Sequence, residues 1–339
     1  MRRLGLLSFV LIGVTVLVFI LSYTISNPAY LYVGDKTSKA AVEAIIKKYD
    51  LNAPLPIQYF RYLQNLLTGN WGYSVSAEQP VLQALAERFP FTAELAISSS
   101  LLTIVIAIPL GIVSAIKNNT AVDHLSRIFS LIGLSFPTFW LGLLLKTVFS
   151  YDFKAFGLPN LPLGGAYSQI LALEYPKGIS PGITGMPVLD TFLTGNWIMF
   201  NDSVTHLILP MVTLAFVNIG TITRIMRSSM LEVLNQDYIT LARSKGLKES
   251  VIIWRHALRN AMGPTLTLFG LLVGALLAGA PITEYIFQWP GIGYMAVTAI
   301  LASDVSMIMG FVLLSALLVV VSNLVVDVLY TYFDPRVRY

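Results

Sequence analysis

A chain of 339 residues that is 55% hydrophobic and only 12% charged carries about half the charge of an ordinary soluble domain, which excludes an aqueous surface all round. Its mean hydropathy of +0.72 points to a bilayer as solvent, and with a net charge of only +4 the position of the charges says more than their sum. The absence of cysteine excludes disulfides, thiolate metal sites and cysteine nucleophiles.

Crossing a hydrocarbon core of about 30 Å takes about 20 apolar residues at about 1.5 Å each. Six stretches approach or meet this length without an internal charge: Leu4–Thr24, Leu95–Ile116, Ile128–Leu145, Val204–Thr223, Ala261–Thr283 and Val305–Val326. They predict an all-α integral membrane protein of six transmembrane helices. The first run, within residues 1–24, follows Arg2 and Arg3 as a signal peptide would, but it is longer than a signal core and no A-x-A-like site follows, so it reads as a retained span. Residues 25–94 carry six basic and six acidic residues and read as helical pieces broken by Pro54, Pro56, Gly69 and Gly72. Ala40, Ala41, Ala44 and Ile45 fall at helical spacing there, as do Val81, Leu82, Leu85 and Ala86, so an ordered external region is expected. Residues 95–339 hold the other five spans. Pro109, Pro137 and Pro210 lie inside spans, where a membrane helix tolerates proline if neighbours satisfy the freed carbonyls. The segment 150–203, rich in Gly, Pro and aromatics, reads as mostly irregular. Arg259 and Glu284 bracket the fifth span, and Asp304 and Asp327 the sixth.

Lys and Arg in short loops orient the spans. Arg2 and Arg3 precede the first, Lys117 and Arg127 flank the loop after the second, and Arg336 and Arg338 close the chain. Between Arg224 and Arg259 seven basic residues face three acidic ones, whereas Glu284–Asp304 has no Lys or Arg. Both termini and the loop 224–259 are therefore expected in the cytoplasm, with 25–94 and 150–203 outside.

No catalytic constellation emerges. There is no G-x-x-x-x-G-K-[ST] phosphate loop and no H-E-x-x-H. In Gly34-Asp35-Lys36-Thr37 the lysine does not follow a glycine. His124, His206 and His256 are far apart and fall in different compartments, so no metal site built from them is expected; no cofactor and no nucleic-acid partner is expected either. His206, near the outer end of the fourth span, reads as an interfacial or packed histidine, and Lys146 as a side chain reaching the outer interface. A self-sufficient channel or ion-coupled carrier would want charges within the spans, and an intramembrane enzyme would want paired Asp, or Ser with His, at one depth; neither pattern is evident.

The informative stretch is the cytoplasmic one. A short helix is predicted to begin near Gln236–Asp237 with Asp237 as a possible cap, to carry Tyr238, Ile239, Leu241 and Ala242 on an apolar side, and to stop at Gly246 after Arg243 and Lys245. Ile252, Ile253, Trp254, Ala257 and Leu258 form a second amphipathic turn leading into the fifth span. Pattern alone fits a helix lying in lipid headgroups as well as one docking on a protein.

The motifs A-R-S-K-G-L at 242–247 and R-H-A-L-R-N-A at 255–261, with Pro264, resemble the cytoplasmic "EAA" loop of ABC importer permeases, most narrowly the dipeptide/oligopeptide permease family. L-P-I-Q-Y at 55–59, G-N-W-G-Y-S at 69–74 and P-V-L-Q-A-L-A-E-R at 80–88 resemble its external region, and S-F-P-T-F-W-L-G-L-L-L at 135–145 its third span. E-Y-I-F-Q-W-P-G-I-G at 284–293 and D-P-R-V-R at 334–338 complete the set, which covers nearly the whole chain. It departs from the pattern at the loop itself, where Thr240 and Leu241 stand in place of the rest of a Glu-Ala-Ala triplet. The resemblance implies a type I ABC importer permease fold in a prokaryotic cell membrane. It also implies that Asp237, Tyr238, Ala242, Arg243, Lys245, Gly246 and Leu247 form a coupling helix and its stop, seated in a cleft of an ATP-hydrolysing subunit. The implied partners are a second, similar permease in a heterodimer, two ABC ATPases and an extracytoplasmic solute-binding protein. The cargo would be dipeptides or oligopeptides, with sugars, oligosaccharides or nickel complexes as the alternatives. Ser98, Ser130, Ser135, Thr213, Asn218 and Thr221 could line the path, and for each the competing reading is a helix-packing contact.

Overall fold

The computed structural model describes residues 10, 12–21, 39–48, 52–158, 160–179 and 182–333. The described chain is predominantly helical. Helices α1 (Ile12–Leu21), α2 (Lys39–Lys48) and α3 (Leu55–Leu67) precede a two-stranded antiparallel hairpin, β1 (Tyr73–Ser74) with β2 (Gln79–Pro80). Then come α4 (Val81–Ile116), α5 (Ala121–Ser135) and α6 (Thr138–Lys146), the last continued by a π-helical turn over Thr147–Asp152 and the short α7 (Phe153–Ala155). Two small helices, α8 (Gln169–Glu174) and α9 (Pro187–Leu193), lead to α10 (Trp197–Leu234). The stretch after α10 forms α11 (Asp237–Ser244), α12 (Glu249–Val251) and a π-helical segment over Ile252–Ala257 that runs into α13 (Leu258–Leu277). Helices α14 (Pro281–Ile286), α15 (Ile292–Leu301) and α16 (Val305–Phe333) close the order.

Among the described residues four helical stretches are long and apolar enough to cross a bilayer: Val81–Ile116, Trp197–Leu234, Glu249–Leu277 and Val305–Val326. The pair Ala121–Ser135 and Thr138–Ala155 would make a fifth, but it is bent by 98°. The single span expected over Ile128–Leu145 is therefore broken. Pro137 supplies no N–H and forces the residue before it out of the helical region, and Phe136 sits at φ −85°, ψ 127°. Pro210, by contrast, stays inside α10. The first predicted span is seen as Ile12–Leu21, a shorter apolar helix; residues 4–9, 11 and 22–24 of it, like the terminal motif at 334–338, lie outside the described residues.

By internal contacts the chain divides into two compact units. One gathers the described residues of Met1–Glu94, Gly164–Val204 and Leu276–Val320. Its core packs Val81, Ala84 and Leu85 against Ile292, Met295, Ala299 and Met307. Sequence periodicity foresaw a helical face at Val81 and Leu85, but not that this turn continues without a break into the span, as one helix of 36 residues. Buried carboxylates, Asp304 and Glu284 among them, organise this unit. Asp304 accepts hydrogen bonds from the Ser74 hydroxyl (2.6 Å), the Ser76 N–H (2.9 Å) and hydroxyl (2.8 Å), and the Met307 N–H (3.1 Å), tying the hairpin to the start of α16. Glu284 accepts from the N–H groups of Ala280 (3.1 Å), Gly293 (2.8 Å) and Tyr294 (3.1 Å) and from the Thr92 hydroxyl (3.2 Å). A Cβ on Gly291 would collide with Thr92 and Glu284, which is why the motif W-P-G-I-G needs its first glycine.

The segment 150–203 is more ordered than its composition suggests. Asp190, 1% exposed, is wrapped by the N–H groups of Ile183, Thr184 and Gly185 and by the Thr184 hydroxyl. The Asn196 amide donates to the carbonyls of Tyr175 and Lys177, and Asp202 accepts from the Ser168 N–H. Polar side chains rather than apolar periodicity fold it, so its pattern gives no warning of order.

The second unit gathers the described residues of Leu95–Leu163, Thr205–Ala275 and Val321–Tyr339. Small residues let its helices meet. A Cβ on Gly111 would lie 2.7 Å from Met226 Cβ, and one on Gly220 would lie 2.6 Å from the Ser130 carbonyl, so α4 and α5 both approach α10 at backbone distance.

Candidate functional site

Helix α11 starts and stops for local reasons. Its N-cap is Gln236 at φ −76°, ψ 149°, with no side-chain cap, so Asp237 is the first helical residue rather than the cap. There its charge still suits the positive end of the helix. At the other end Gly246 takes φ +75°, its N–H donates to the Arg243 carbonyl (2.9 Å), and the Leu247 N–H donates to the Ala242 carbonyl (3.3 Å). These paired bonds are the Schellman stop, which satisfies two otherwise orphaned carbonyls and requires the left-handed residue glycine adopts most cheaply. Arg243 then pairs with Glu249 at 2.8 Å across the turn. Both are exposed, so this pair contributes at most about 1 kcal/mol.

The apolar side expected of this helix is split in two. Ile239 and Ala242 turn inward to a buried cluster with Ile112 and Ala115 of α4, Met226 and Met230 of α10, and Ile252, Ala257 and Ala261. Tyr238, Leu241 and Leu247 turn outward and are exposed, with Leu241 at 55%, and the neighbouring Trp254 is 61% exposed. The Tyr238 hydroxyl still accepts from the Asn260 amide at 2.8 Å. The π-helical segment 252–257 places Ile252 and Ala257, five residues apart, both fully buried, matching the i to i+5 repeat of that helix. The inner face anchors α11 to its own chain, and the outer face is an apolar surface edged by Arg243 and Lys245, both exposed.

The residues expected along the path do not form one group. Thr213 is fully buried with its hydroxyl on the Leu209 carbonyl, and buried Ser130 bonds the Ser126 carbonyl at the close approach of α5 to α10. Both are buried in this chain. Ser98 and Asn218 are half-buried and donate to the carbonyls of Leu95 and Leu214, Thr221 is half-buried, and Ser135 is exposed. Those four retain accessible surface. Asp123 and Arg227, which sequence reasoning did not single out as functional residues, form an ion pair at 2.6 Å on the same unit as α11, with the carboxylate buried and the guanidinium partly exposed. The only local signal was an acidic residue in the first turn of α5. Among the described residues no cluster of His, Asp and Glu has the geometry of a metal site.

Two family models match this chain. "Binding-protein-dependent transport system inner membrane component" covers residues 107–339, and its N-terminal companion, "Binding-prot-dependent transport system membrane comp, N-term", covers 1–96. Among curated relatives, the "Probable D,D-dipeptide transport system permease protein DdpB" of Escherichia coli is 44% identical over 98% of this chain and 94% of its own length. The dipeptide transport system permease protein DppB of Alkalihalophilus pseudofirmus is 39% identical over 100% and 98%. The oligopeptide transport system permease protein AppB of Bacillus subtilis is 37% identical over 97% and 96%.

Proposed function

The chain belongs to the binding-protein-dependent transport system inner membrane component family, and from that membership we propose that it is a permease subunit of an ATP-driven peptide importer in the bacterial cell membrane. It pairs with a second, similar permease and rests on two ATPases, and an extracytoplasmic binding protein hands substrate to its outer face. The observation that carries this reading is the two-faced helix α11. Ile239 and Ala242 are packed into the chain's own core, while Tyr238, Leu241 and Leu247 are left for a partner. A helix held this way follows the cleft it sits in, so drawing the two ATPases together moves the cytoplasmic ends of the spans. Asp237, Tyr238, Arg243, Lys245 and Leu247 meet the ATPase, Ala242 seats the helix and Gly246 ends it.

The chain is a transport component; ATP hydrolysis is the work of its partners. In this reading six spans place both termini and residues 224–259 in the cytoplasm and 25–94 outside, with 95–339 as the permease core. Ser98, Ser135, Asn218 and Thr221 line the path, because a lining residue between two permeases has to be accessible on each one alone. Short peptides are the substrate class, since the relatives named above are dipeptide, D,D-dipeptide and oligopeptide permeases. Sugars, nickel complexes and a self-sufficient carrier have no comparable support. Reconstitution of the complex in proteoliposomes tests this. Uptake of a labelled dipeptide should require ATP and the loaded binding protein together, and flux without ATP would refute it.

A further inference from the structure

Asp123 is fully buried, and a buried carboxylate persists only when its oxygens are satisfied. Its Oδ1 accepts from the Ser114 hydroxyl (2.7 Å) and Arg227 Nε (2.6 Å), and its Oδ2 from the Asn119 N–H (3.0 Å) and Arg227 Nη2 (2.9 Å). Arg227 Nη2 also donates to Asn118 Oδ1 at 2.9 Å, and Arg127 lies 3.4 Å from Asp123. The guanidinium fork therefore fixes an orientation as well as a distance. Ser114 belongs to α4, Asn118 and Asn119 to the turn after it, Asp123 to α5 and Arg227 to α10, so one carboxylate joins three helices.

These are the helices on which α11 depends. Met226 and Met230, adjacent to Arg227 on α10, and Ile112 and Ala115, adjacent to Ser114 on α4, are its buried neighbours. At Gly111 α4 and α10 meet with no room for a Cβ. A buried ion pair is weak support for stability, since two neutral side chains often serve as well; what it supplies is defined geometry.

We propose that Asp123 is a positioning residue for coupling. Through Arg227 it locks the adjoining ends of α4, α5 and α10 together, so that they move with α11 as one body. This inference rests on the reading of the chain as an ATP-driven permease. The test uses the whole reconstituted complex, with Asp123→Asn and Arg227→Gln combined so that neither member of the pair is left charged opposite a neutral partner. That complex should assemble and keep basal ATPase activity. Its stimulation by loaded binding protein should fall about 5- to 150-fold, the range that inter-site coupling spans. A purely structural pair would instead restore full stimulation once both charges are gone, which would overturn the proposal. A second measurement stands whether or not the variant assembles. In the otherwise unaltered chain, spin labels at Leu125→Cys on α5 and Thr240→Cys on α11, with cysteine-free partners, should keep one separation in nucleotide-free and nucleotide-bound complexes. A shifted separation would overturn the proposal. A wild-type complex with no ATP-driven uptake would overturn the functional reading itself, and this inference with it.

Discussion

Replacing Gly246 by valine perturbs the end of α11 through the backbone alone. The residue sits at φ +75°, and a Cβ built there meets nothing within 4 Å, so no clash is added. Holding a side chain in the left-handed region costs about 1–2 kcal/mol. Leaving that region instead breaks the Gly246 N–H to Arg243 and Leu247 N–H to Ala242 bonds, worth about 0.5–1.5 kcal/mol each. Either route costs about 1–3 kcal/mol, and the exposed Arg243–Glu249 pair is too weak to offset it. Taking 1–2 kcal/mol as the working figure, the seated form of the helix falls about 5- to 30-fold relative to its alternatives. The assay is ATPase activity stimulated by loaded binding protein, read beside uptake in proteoliposomes; both should fall by that factor while the complex stays assembled. Gly157→Val is the control. It has the same left-handed backbone, at φ +70°, and the same open space, but lies in the segment after α7 and should leave coupling unchanged. Wild-type coupling in Gly246→Val, as expected of a helix merely resting in lipid headgroups, or equal damage in Gly157→Val, would refute the reasoning.

Three further outcomes are expected. A cysteine at Ser244, unique in a chain that has none, should resist an impermeant maleimide added outside intact cells and react once the membrane is opened; labelling from outside would reverse the topology. Asp304→Ala removes the acceptor of three hydrogen bonds to the hairpin, worth about 0.5–1.5 kcal/mol each, so limited proteolysis of the assembled complex at residues 69–80 should rise at least about tenfold, opening being what the protease reads. An unchanged rate would show that the hairpin is held by other contacts. Burial pushes the Glu284 carboxyl up from its ordinary value, against the Ala280, Tyr294, Gly293 and Thr92 donors that pull it down. The native state then holds its proton to higher pH than the unfolded chain, so its contribution to stability declines as pH rises from the ordinary carboxylate range through the raised value. Glu284→Gln should flatten that decline in detergent melting curves, and a decline of wild-type size would show that another group is responsible.

What could be read from sequence is what one segment settles by itself. A bilayer demands long uncharged runs whatever surrounds them, so the apolar stretches announced themselves, although Pro137 breaks one that reads as continuous. The stop at Gly246 was legible because a left-handed residue, two backbone bonds and the basic residues before it all lie within six positions. The partners of the buried carboxylates were not. Glu284 meets Thr92 across 192 positions, Asp304 meets Ser74 across 230, and Asp123 meets Arg227 across 104. An acidic residue beside an apolar run has the same local pattern whether water or a hydrogen-bond cradle receives it, so Glu284 and Asp304 read simply as the ends of spans. The same limit applied to α11. Its periodicity fixed the angles at which Tyr238, Ile239, Leu241 and Ala242 leave the helix axis, but only packing against Met226, Met230 and Ile112 decided that Ile239 and Ala242 turn inward while Tyr238 and Leu241 are left exposed.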